Sequence, residues 1–337
     1  MIIRRDLVGK IYFLLSMDRV EMALLETKKF IESVNSRMIH IEPGLVIIES
    51  SEQIFDALMK REFSMIREVG VSLLAIENVE SKDSLMKTLS DLRDLLCLSG
   101  EVMIREIGVK KINLEPREVI STLKSCDLGD VHTSIIIGNI VIIGRAFYRR
   151  SMDRLPKIML DESATMKIID MKFMNNLIHE SRHGVVYDPF GGAGYLLFDF
   201  CAKGQRILLS DIDPRKIRKA IENFDRNNCD DYDIFQADAL NIPIRSDAVS
   251  SIVTDIPYGR RSRIITKEER NIFVKLVSEL LRVVSSRGSI VMALSFDQWK
   301  VLRDQFIDNK YLRNAVLQHL HSNLHRVYMV LEKRDET

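Results

Sequence analysis

Four short apolar runs in the second half of this 337-residue chain are each followed, within two residues, by an aspartate. Segments with helical spacing separate these runs, and this alternation predicts a doubly wound α/β sheet of parallel strands. Ligands of such sheets bind at the carboxyl ends of the strands, so the four aspartates are candidate ligand-binding residues. The runs and their aspartates are 184–187 with Asp188, 206–210 with Asp211, 232–236 with Asp238, and 250–254 with Asp255.

The first of these strands runs into a glycine-rich turn, Asp188-Pro189-Phe190-Gly191-Gly192-Ala193-Gly194. Glycines in such a turn allow the backbone to approach a ligand closely. The turn lacks the Gly-x-Gly-x-x-Gly spacing of dinucleotide sites, and a carboxylate at the strand end would repel a pyrophosphate. Asp188 instead suits the positively charged amino-acid portion of S-adenosylmethionine. The turn therefore predicts this methyl donor rather than NAD, with Phe190, Gly191 and Gly192 as further contacts.

The next two strand ends supply further candidate contacts to the donor. Asp211 lies one βα unit after the glycine turn, where an acid binds the hydroxyls of a ribose in either kind of cofactor. Asp213 precedes Pro214, and this pair is typical of a helix N-cap followed by a proline in the first turn. Asp238, with its neighbour Ala239, is placed to accept a hydrogen bond from an adenine amino group, although an N-cap is the alternative interpretation.

The fourth strand ends in Asp255-Ile256-Pro257-Tyr258, which indicates the reaction. The Asp255 carboxylate and the carbonyl before Pro257 are two acceptors that would hold both hydrogens of an exocyclic amine. This grip would direct the nitrogen lone pair at a methyl group, and positioning is the main catalytic resource in a direct displacement. Tyr258 offers a flat face for an unpaired base. A simple turn is the alternative interpretation of so short a motif.

These four motifs together resemble those of the archaeal and eukaryotic tRNA (guanine-N2)-methyltransferases that act at position 10. Residues 171–177 resemble the helix that precedes the glycine turn in that family, and residues 321–328 resemble its C-terminal signature. The chain departs from the family at Gly191 and Ala193, where Cys and Thr are usual. It also departs at Ile256, which replaces a proline and would weaken the preorganisation of that loop.

The resemblance implies a Rossmann-like class I methyltransferase domain over residues 166–337. It further implies a ferredoxin-like domain over 1–65, an RNA-binding THUMP domain over 66–150 and a linker over 151–165. Asp255, Pro257 and Tyr258 would be the catalytic residues, and S-adenosylmethionine would methylate the N2 amine of a guanine in tRNA. A small zinc-binding methyltransferase activator subunit is an implied partner.

Two groups of arginines are candidate RNA-binding residues. Arg145, Arg149 and Arg150 alternate with aromatic residues, and Arg260 with Arg261 follows the fourth motif. Local basic patches can supply phosphate contacts even in a chain whose formal net charge is only +1. The alternative interpretation is that these arginines are simply charged residues on a solvent-exposed surface. A DNA amino-methyltransferase and a non-catalytic RNA-binding protein with the same fold remain the alternative functions.

The four cysteines are widely spaced and form no Cys-x-x-Cys pair, so we expect reduced thiols rather than a metal site or disulfides. The sequence shows no signal peptide and no apolar run long enough to span a bilayer, which predicts a cytoplasmic protein.

In the first half of the chain, helical spacing predicts a helix over residues 81–98.

Overall fold

The computed structural model describes residues 1–107, 111–126, 128–129, 131–150, 166–178, 184–257, 267–306, 311–321 and 324–333. The chain divides into two compact units, Met1–Met152 and Asp153–Thr337. Within the described residues, each unit is built around a large β-sheet of its own. The predicted linker over residues 151–165 lies outside the described residues.

The first unit is an α+β structure around an eight-stranded sheet. The elements of this unit are β1 (Ile2–Ile3), β2 (Ile11–Leu15), α1 (Val20–Ser33), β3 (Met38–Glu42), β4 (Leu45–Ile48), α2 (Glu52–Met59), β5 (Ile66–Glu77), α3 (Lys82–Asp91), β6 (Cys97–Leu98), β7 (Val102–Glu106), α4 (Pro116–Thr122), β8 (Lys124–Ser125), β9 (His132–Ile137) and β10 (Ile140–Arg149). The main strand order of the sheet is β3-β4-β2-β5-β10-β9-β7, and β1 pairs with β5.

This sheet continues across the predicted boundary between residues 65 and 66. Strand β5 pairs with β2 on one side and with β10 on the other, so strands from both predicted domains form one sheet. The division into a ferredoxin-like and a THUMP domain stays a prediction. The predicted helix over 81–98 is shorter than expected, because α3 ends at Asp91 and Cys97–Leu98 pairs with β8 instead.

The second unit contains the predicted Rossmann-like sheet. Seven strands lie in the order β13-β12-β11-β14-β15-β17-β16, in which the first five are parallel and the last two are antiparallel to their neighbours. Its elements are α5 (Ile168–Leu177), β11 (Val186–Asp188), α6 (Phe198–Ala202), β12 (Ile207–Asp211), α7 (Pro214–Arg226), β13 (Tyr232–Gln236), β14 (Val249–Asp255), α8 (Lys267–Val283), β15 (Val284–Ser295), α9 (Phe296–Phe306), β16 (Leu312–His321) and β17 (Leu324–Glu332).

The direction of winding changes between β11 and β14. From β11 the chain proceeds through β12 to β13 on one side, and from β14 it proceeds to β15 on the other. Such a switch point opens a crevice at the carboxyl ends of the strands, where ligands of open α/β sheets bind. Asp188 ends β11 and Asp255 ends β14, so the two aspartates flank this crevice.

The prediction of four reduced cysteines was wrong, because the structure pairs all of them. Cys97 bonds to Cys126 and Cys201 bonds to Cys229, with Cα–Cα distances of 5.7 Å and 5.4 Å. The partners are separated by 29 and 28 residues in sequence, so spacing alone did not reveal their proximity. In a chain-entropy account, closing loops of this length stabilises the fold by about 3–4 kcal/mol each.

None of the helices in the described part of the chain is long and apolar enough to cross a membrane.

Candidate active site

The glycine-rich turn is packed so closely that side chains would not fit at two of its positions. A Cβ on Gly191 would lie 2.1 Å from Cγ of Leu209, and Gly191 N donates to Ser210 O at 2.9 Å. Gly194 has a φ of +89°, and a Cβ there would lie 2.6 Å from the Phe224 ring. Glycine is therefore required at these two positions by contacts within the protein, to Leu209 of β12 and to Phe224 of α7, and the close approach of the turn to a ligand stays a prediction.

Asp188 is a buried carboxylate in a strongly anionic setting. Its side chain is 2% exposed, and its Oδ1 accepts hydrogen bonds from Thr254 Oγ1 at 2.7 Å and from Phe190 N at 3.0 Å. Its pKa is raised to about 7, mainly by burial and to a smaller extent by the nearby carboxylates of Asp255 and Asp211, while those two hydrogen bonds lower it. A positively charged ligand group at this position would stabilise the ionised form.

Asp211 is fixed at the end of β12 by backbone donors. Its Oδ2 accepts from Gly192 N at 3.1 Å, and its Oδ1 accepts from Asp213 N at 2.9 Å. Lys216 Nζ lies 3.9 Å from the same Oδ2. These contacts join the glycine turn to the second strand end, so the two predicted donor-binding motifs form one rigid corner. The next residue, Ile212, is 65% exposed, and sequence inspection missed this apolar surface beside Asp211.

The predicted capping role of Asp213 is confirmed, because its side chain accepts from Arg215 N at the start of α7 and Pro214 follows it. Asp238 is exposed and accepts from Leu240 N at 2.9 Å in a turn, and the described residues 239–248 contain no helix, so the alternative interpretation as a helix N-cap is wrong. The Ala239 side chain is buried in the core, so it offers a ligand its backbone only. The adenine contact of Asp238 stays a prediction.

The fourth motif is held from outside its own sequence. Ile256 is 2% exposed, and its N–H donates to Ala293 O at 3.0 Å. The Pro257 carbonyl accepts from Gln298 Nε2 at 2.8 Å. A proline in place of Ile256 has no N–H and would lose the bond to Ala293. In this chain a backbone hydrogen bond and a buried side chain restrain the loop at the position where a proline ring is usual in the family that the motifs resemble. Tyr258 lies outside the described residues.

Gln298 was missed in the sequence. It is 3% exposed, and its Oε1 accepts from Ser295 N at 2.8 Å while Ser295 Oγ accepts from Gln298 N at 3.2 Å. This Ser-x-x-Gln spacing is a capping box at the start of α9, a signal that the sequence did contain. The cap uses the Oε1 and backbone N atoms of Gln298, which leaves Nε2 to donate to the Pro257 carbonyl. This side chain therefore links the cap of α9 to the fourth motif.

The first unit gathers part of the predicted arginine group into a cavity of about 380 Å³. Arg149 and Arg150 line it together with Arg67 and Arg105, which the sequence did not single out. Leu14 and Glu68 complete the lining. Arg145 is half-buried and donates to Cys97 Sγ at 3.3 Å, so the structure does not bring it to this cavity. Arg260 and Arg261 lie outside the described residues.

Comparison with known proteins agrees with this geometry. The sequence model of the family described as "UPF0020: RMKL-like, methyltransferase domain" matches residues 172–327. These residues form a methyltransferase domain. The match covers the glycine turn and all four strand-end aspartates, and the strand order of the second unit confirms the predicted class I methyltransferase sheet.

Curated relatives carry the name of the family that the motifs resemble, so that prediction is confirmed. The tRNA (guanine(10)-N2)-dimethyltransferase of Methanothermobacter thermautotrophicus is 26% identical over 149 residues, which is 44% of this chain and 43% of the relative. The protein of the same name from Methanocaldococcus jannaschii is 22% identical over 247 residues, 71% of this chain and 67% of the relative. The aligned part thus spans less than half of the first relative.

A solved structure shares the fold over nearly the whole chain. The crystal structure of TrmN from Thermus thermophilus has a TM-score of 0.56 and 15% identity, and the likeness covers 96% of this chain and 99% of that chain. S-adenosylmethionine, the predicted cofactor, fits the methyltransferase domain. The buried Asp188 carboxyl fits the positively charged part of this donor, because a cationic group would stabilise its ionised form.

Proposed function

We propose that this chain transfers a methyl group from S-adenosylmethionine to the exocyclic N2 amine of a guanine in tRNA. The observation that carries the proposal is the pairing of β11 with β14, which places the ends of the donor strand and of the amine-binding strand side by side. Asp188 and Asp255 end these two strands, and each carboxylate influences the other electrostatically.

The donor side of the methyltransferase domain would bind its cofactor through the corner formed by the glycine turn and Asp211. Asp188 would face the positively charged part of the donor, and Asp211 would accept hydrogen bonds from the ribose hydroxyls. Phe190, Gly191 and Gly192 would supply apolar and backbone contacts, with Asp238 and Ala239 beside the adenine. When bound, S-adenosylmethionine supplies an electrophilic methyl group on a sulfonium.

The acceptor side would hold the target amine. The Asp255 carboxylate and the Ile256 carbonyl would accept its two hydrogens, so that the nitrogen lone pair points across the crevice towards the methyl group. The hydrogen bonds on either side of the Ile256 carbonyl, to Ala293 and from Gln298, support the prediction that this acceptor is fixed before the base arrives. Pro257 is exposed next to it, and Tyr258 would stack on the base.

Recognition of tRNA, and of guanine at position 10, is proposed from the names of the relatives. The four arginines around the cavity of the first unit support RNA binding there, because guanidinium groups pair well with phosphates. We also propose the small zinc-binding activator subunit as a partner and the domain division at residues 65 and 150, both from the resemblance in sequence, and a cytoplasmic location from the signal-peptide and hydropathy patterns of the sequence.

The full-length protein should be tested with radiolabelled donor on tRNA and on duplex DNA side by side, with and without the candidate activator subunit. We expect transfer to tRNA only, and nucleoside mass spectrometry should find N2-methylated or N2,N2-dimethylated guanosine. Transfer to DNA instead would favour the DNA amino-methyltransferase. Absence of donor binding by calorimetry, with and without the subunit, would favour a non-catalytic RNA-binding protein.

A further inference from the structure

Three charged side chains from three separate elements form a chain that ends at the catalytic motif. Asp170 comes from α5, Arg326 from β17 and Asp255 from the end of β14. Arg326 Nη1 lies 3.7 Å from Asp170 Oδ2, and Arg326 Nη2 lies 3.9 Å from Asp255 Oδ2. One guanidinium therefore lies between two carboxylates, and its planar fork presents a separate nitrogen to each of them.

Exposure decreases steadily from the catalytic motif inwards. The side chain of Asp255 is 30% exposed, that of Arg326 is 9% exposed, and that of Asp170 is fully buried. An ionised carboxylate as deeply buried as Asp170 is strongly destabilising unless a positive group and hydrogen bonds compensate it. Asp170 is therefore the anchor for Arg326, and Asp255 lies at the accessible end of the chain.

The anchor is itself held by side chains of the antiparallel strands. Gln318 Nε2 donates to Asp170 Oδ1 at 3.2 Å, and the Tyr328 hydroxyl donates to Gln318 Oε1 at 2.7 Å. The Tyr328 ring packs edge-on against Phe173 of α5, with 5.1 Å between ring centroids. Contacts from helix α5 and strands β16 and β17 thus hold Asp170, and through it the side of the guanidinium that faces away from Asp255.

We propose that Arg326 is a positioning residue for Asp255: anchored by Asp170, its guanidinium holds the Asp255 carboxylate in the orientation that accepts the target amine. The inference deepens the proposed function and rests on it. It also gives a physical role to Arg326, which lies in residues 321–328 that the sequence linked to the family without assigning them a task, whereas Asp170 directly precedes the other such stretch, 171–177. The rival explanation is that Arg326 only compensates the charge of Asp170.

A double variant separates the two roles. Arg326→Gln alone leaves Asp170 uncompensated, so loss of folding would obscure its effect on activity. Asp170→Asn with Arg326→Gln removes both charges of the buried pair, and we expect a melting temperature within a few degrees of the wild type. We expect kcat on tRNA to stay about 30- to 100-fold lower, with the KM for tRNA and the Kd for S-adenosylmethionine within about threefold. Arg326→Lys should fall between, because an ammonium keeps the positive charge but lacks the planar fork that presents one nitrogen to each carboxylate.

A kcat equal to that of the wild type in the double variant would overturn the proposal and leave Arg326 as a counter-ion of Asp170. A second measurement needs no RNA. In an Asp170→Asn background, where Arg326→Gln leaves no uncompensated buried carboxylate, the losses in melting temperature from Asp255→Asn and from Arg326→Gln should be non-additive by about 2 °C or more, because coupled residues lose a shared interaction once. Additive losses would show that Arg326 and Asp255 are not coupled and would overturn the proposal, whether or not the wild type is active on tRNA. Inactivity of the wild type on tRNA would count separately, against the proposed function.

Discussion

The donor side and the acceptor side of the methyltransferase domain are held in different ways. The donor-side carboxylates accept hydrogen bonds from backbone N–H groups close in sequence: Asp188 from Phe190, and Asp211 from Asp213, each two residues on. The acceptor side depends on groups far along the chain, as shown by the bond from Gln298 to Pro257 across 41 residues. Arg326 and Asp170 extend this dependence to both ends of the domain.

This difference has a mechanical consequence. Backbone donors persist when neighbouring side chains change, so the donor side should be sensitive mainly at its own carboxylates, at Gly191 and Gly194, and at Thr254, whose hydroxyl donates to Asp188. The acceptor side should be sensitive to substitutions at residues that never contact the base. Small displacements of a reacting group cost large factors in rate, so distant supports on this side should act on kcat rather than on binding.

The largest effect is expected at the acceptor carboxylate itself. Asp255→Ala should lower methyl transfer to tRNA by about a thousandfold, because one of the two acceptors for the amine is lost. The Kd for the donor, measured by calorimetry, should change no more than a few-fold. Asp230→Ala, at an exposed acid of the same unit, is the matched control and should leave both quantities unchanged. Transfer that survived Asp255→Ala would refute the assigned mechanism.

On the donor side, the expected loss is in affinity. Asp211→Ala should weaken donor binding by about 30- to 100-fold, since it removes the proposed ribose acceptor and releases Gly192 N. Asp213→Ala, two residues away, removes the N-cap of α7 together with an exposed ion pair to Arg215, and should cost about 1 kcal/mol of stability with unchanged donor affinity. Equal effects of the two changes on the Kd would mean that Asp211 is not a donor ligand.

The same contrast explains what could be predicted from the sequence. The parallel sheet, the glycine turn and the N-cap at Asp213 follow from local spacing and were predicted with boundaries correct to within a few residues. Arg326 and Gln298 were not assigned a role, because their contacts form only when the end of β14 lies against β17 and the start of α9, with α5 behind Arg326. Sequence spacing carries no information about such meetings.

The first unit shows the same limit. The helix predicted over residues 81–98 had suitable spacing, but the pairing of Cys97–Leu98 with Lys124–Ser125 and the bond from Cys97 to Cys126 override it. Tertiary pairing commonly overrides local propensity in this way. Arg67 and Arg105 join Arg149 and Arg150 only because β5, β7 and β10 belong to one sheet.

A smaller effect is expected from the side chain that supports the acceptor loop. Gln298→Glu keeps an acceptor for Ser295 N but places a carboxylate against the Pro257 carbonyl, so it removes a single donated hydrogen bond. We expect kcat to fall about 10- to 30-fold with unchanged donor affinity. Ser295→Ala is the control, because it weakens the cap of α9 but leaves the bond to Pro257 in place. A loss of donor affinity in Gln298→Glu without a change in kcat would contradict the separation of the two sides.

The smallest effect is a pH dependence confined to the donor side. The pKa of Asp188 is about 7, raised mainly by burial, so the carboxyl is mostly protonated at pH 6 and mostly ionised at pH 8. The donor is cationic and favours the ionised form, so its affinity should rise with pH by up to about tenfold over this range. Asp188→Asn retains an acceptor for Thr254 and Phe190, and calorimetry should find its binding weaker at pH 8 and nearly independent of pH. A donor affinity of the wild type that does not change between pH 6 and pH 8 would show that the positive charge of the donor does not face Asp188. Another residue would then have to contact that charge on the donor side.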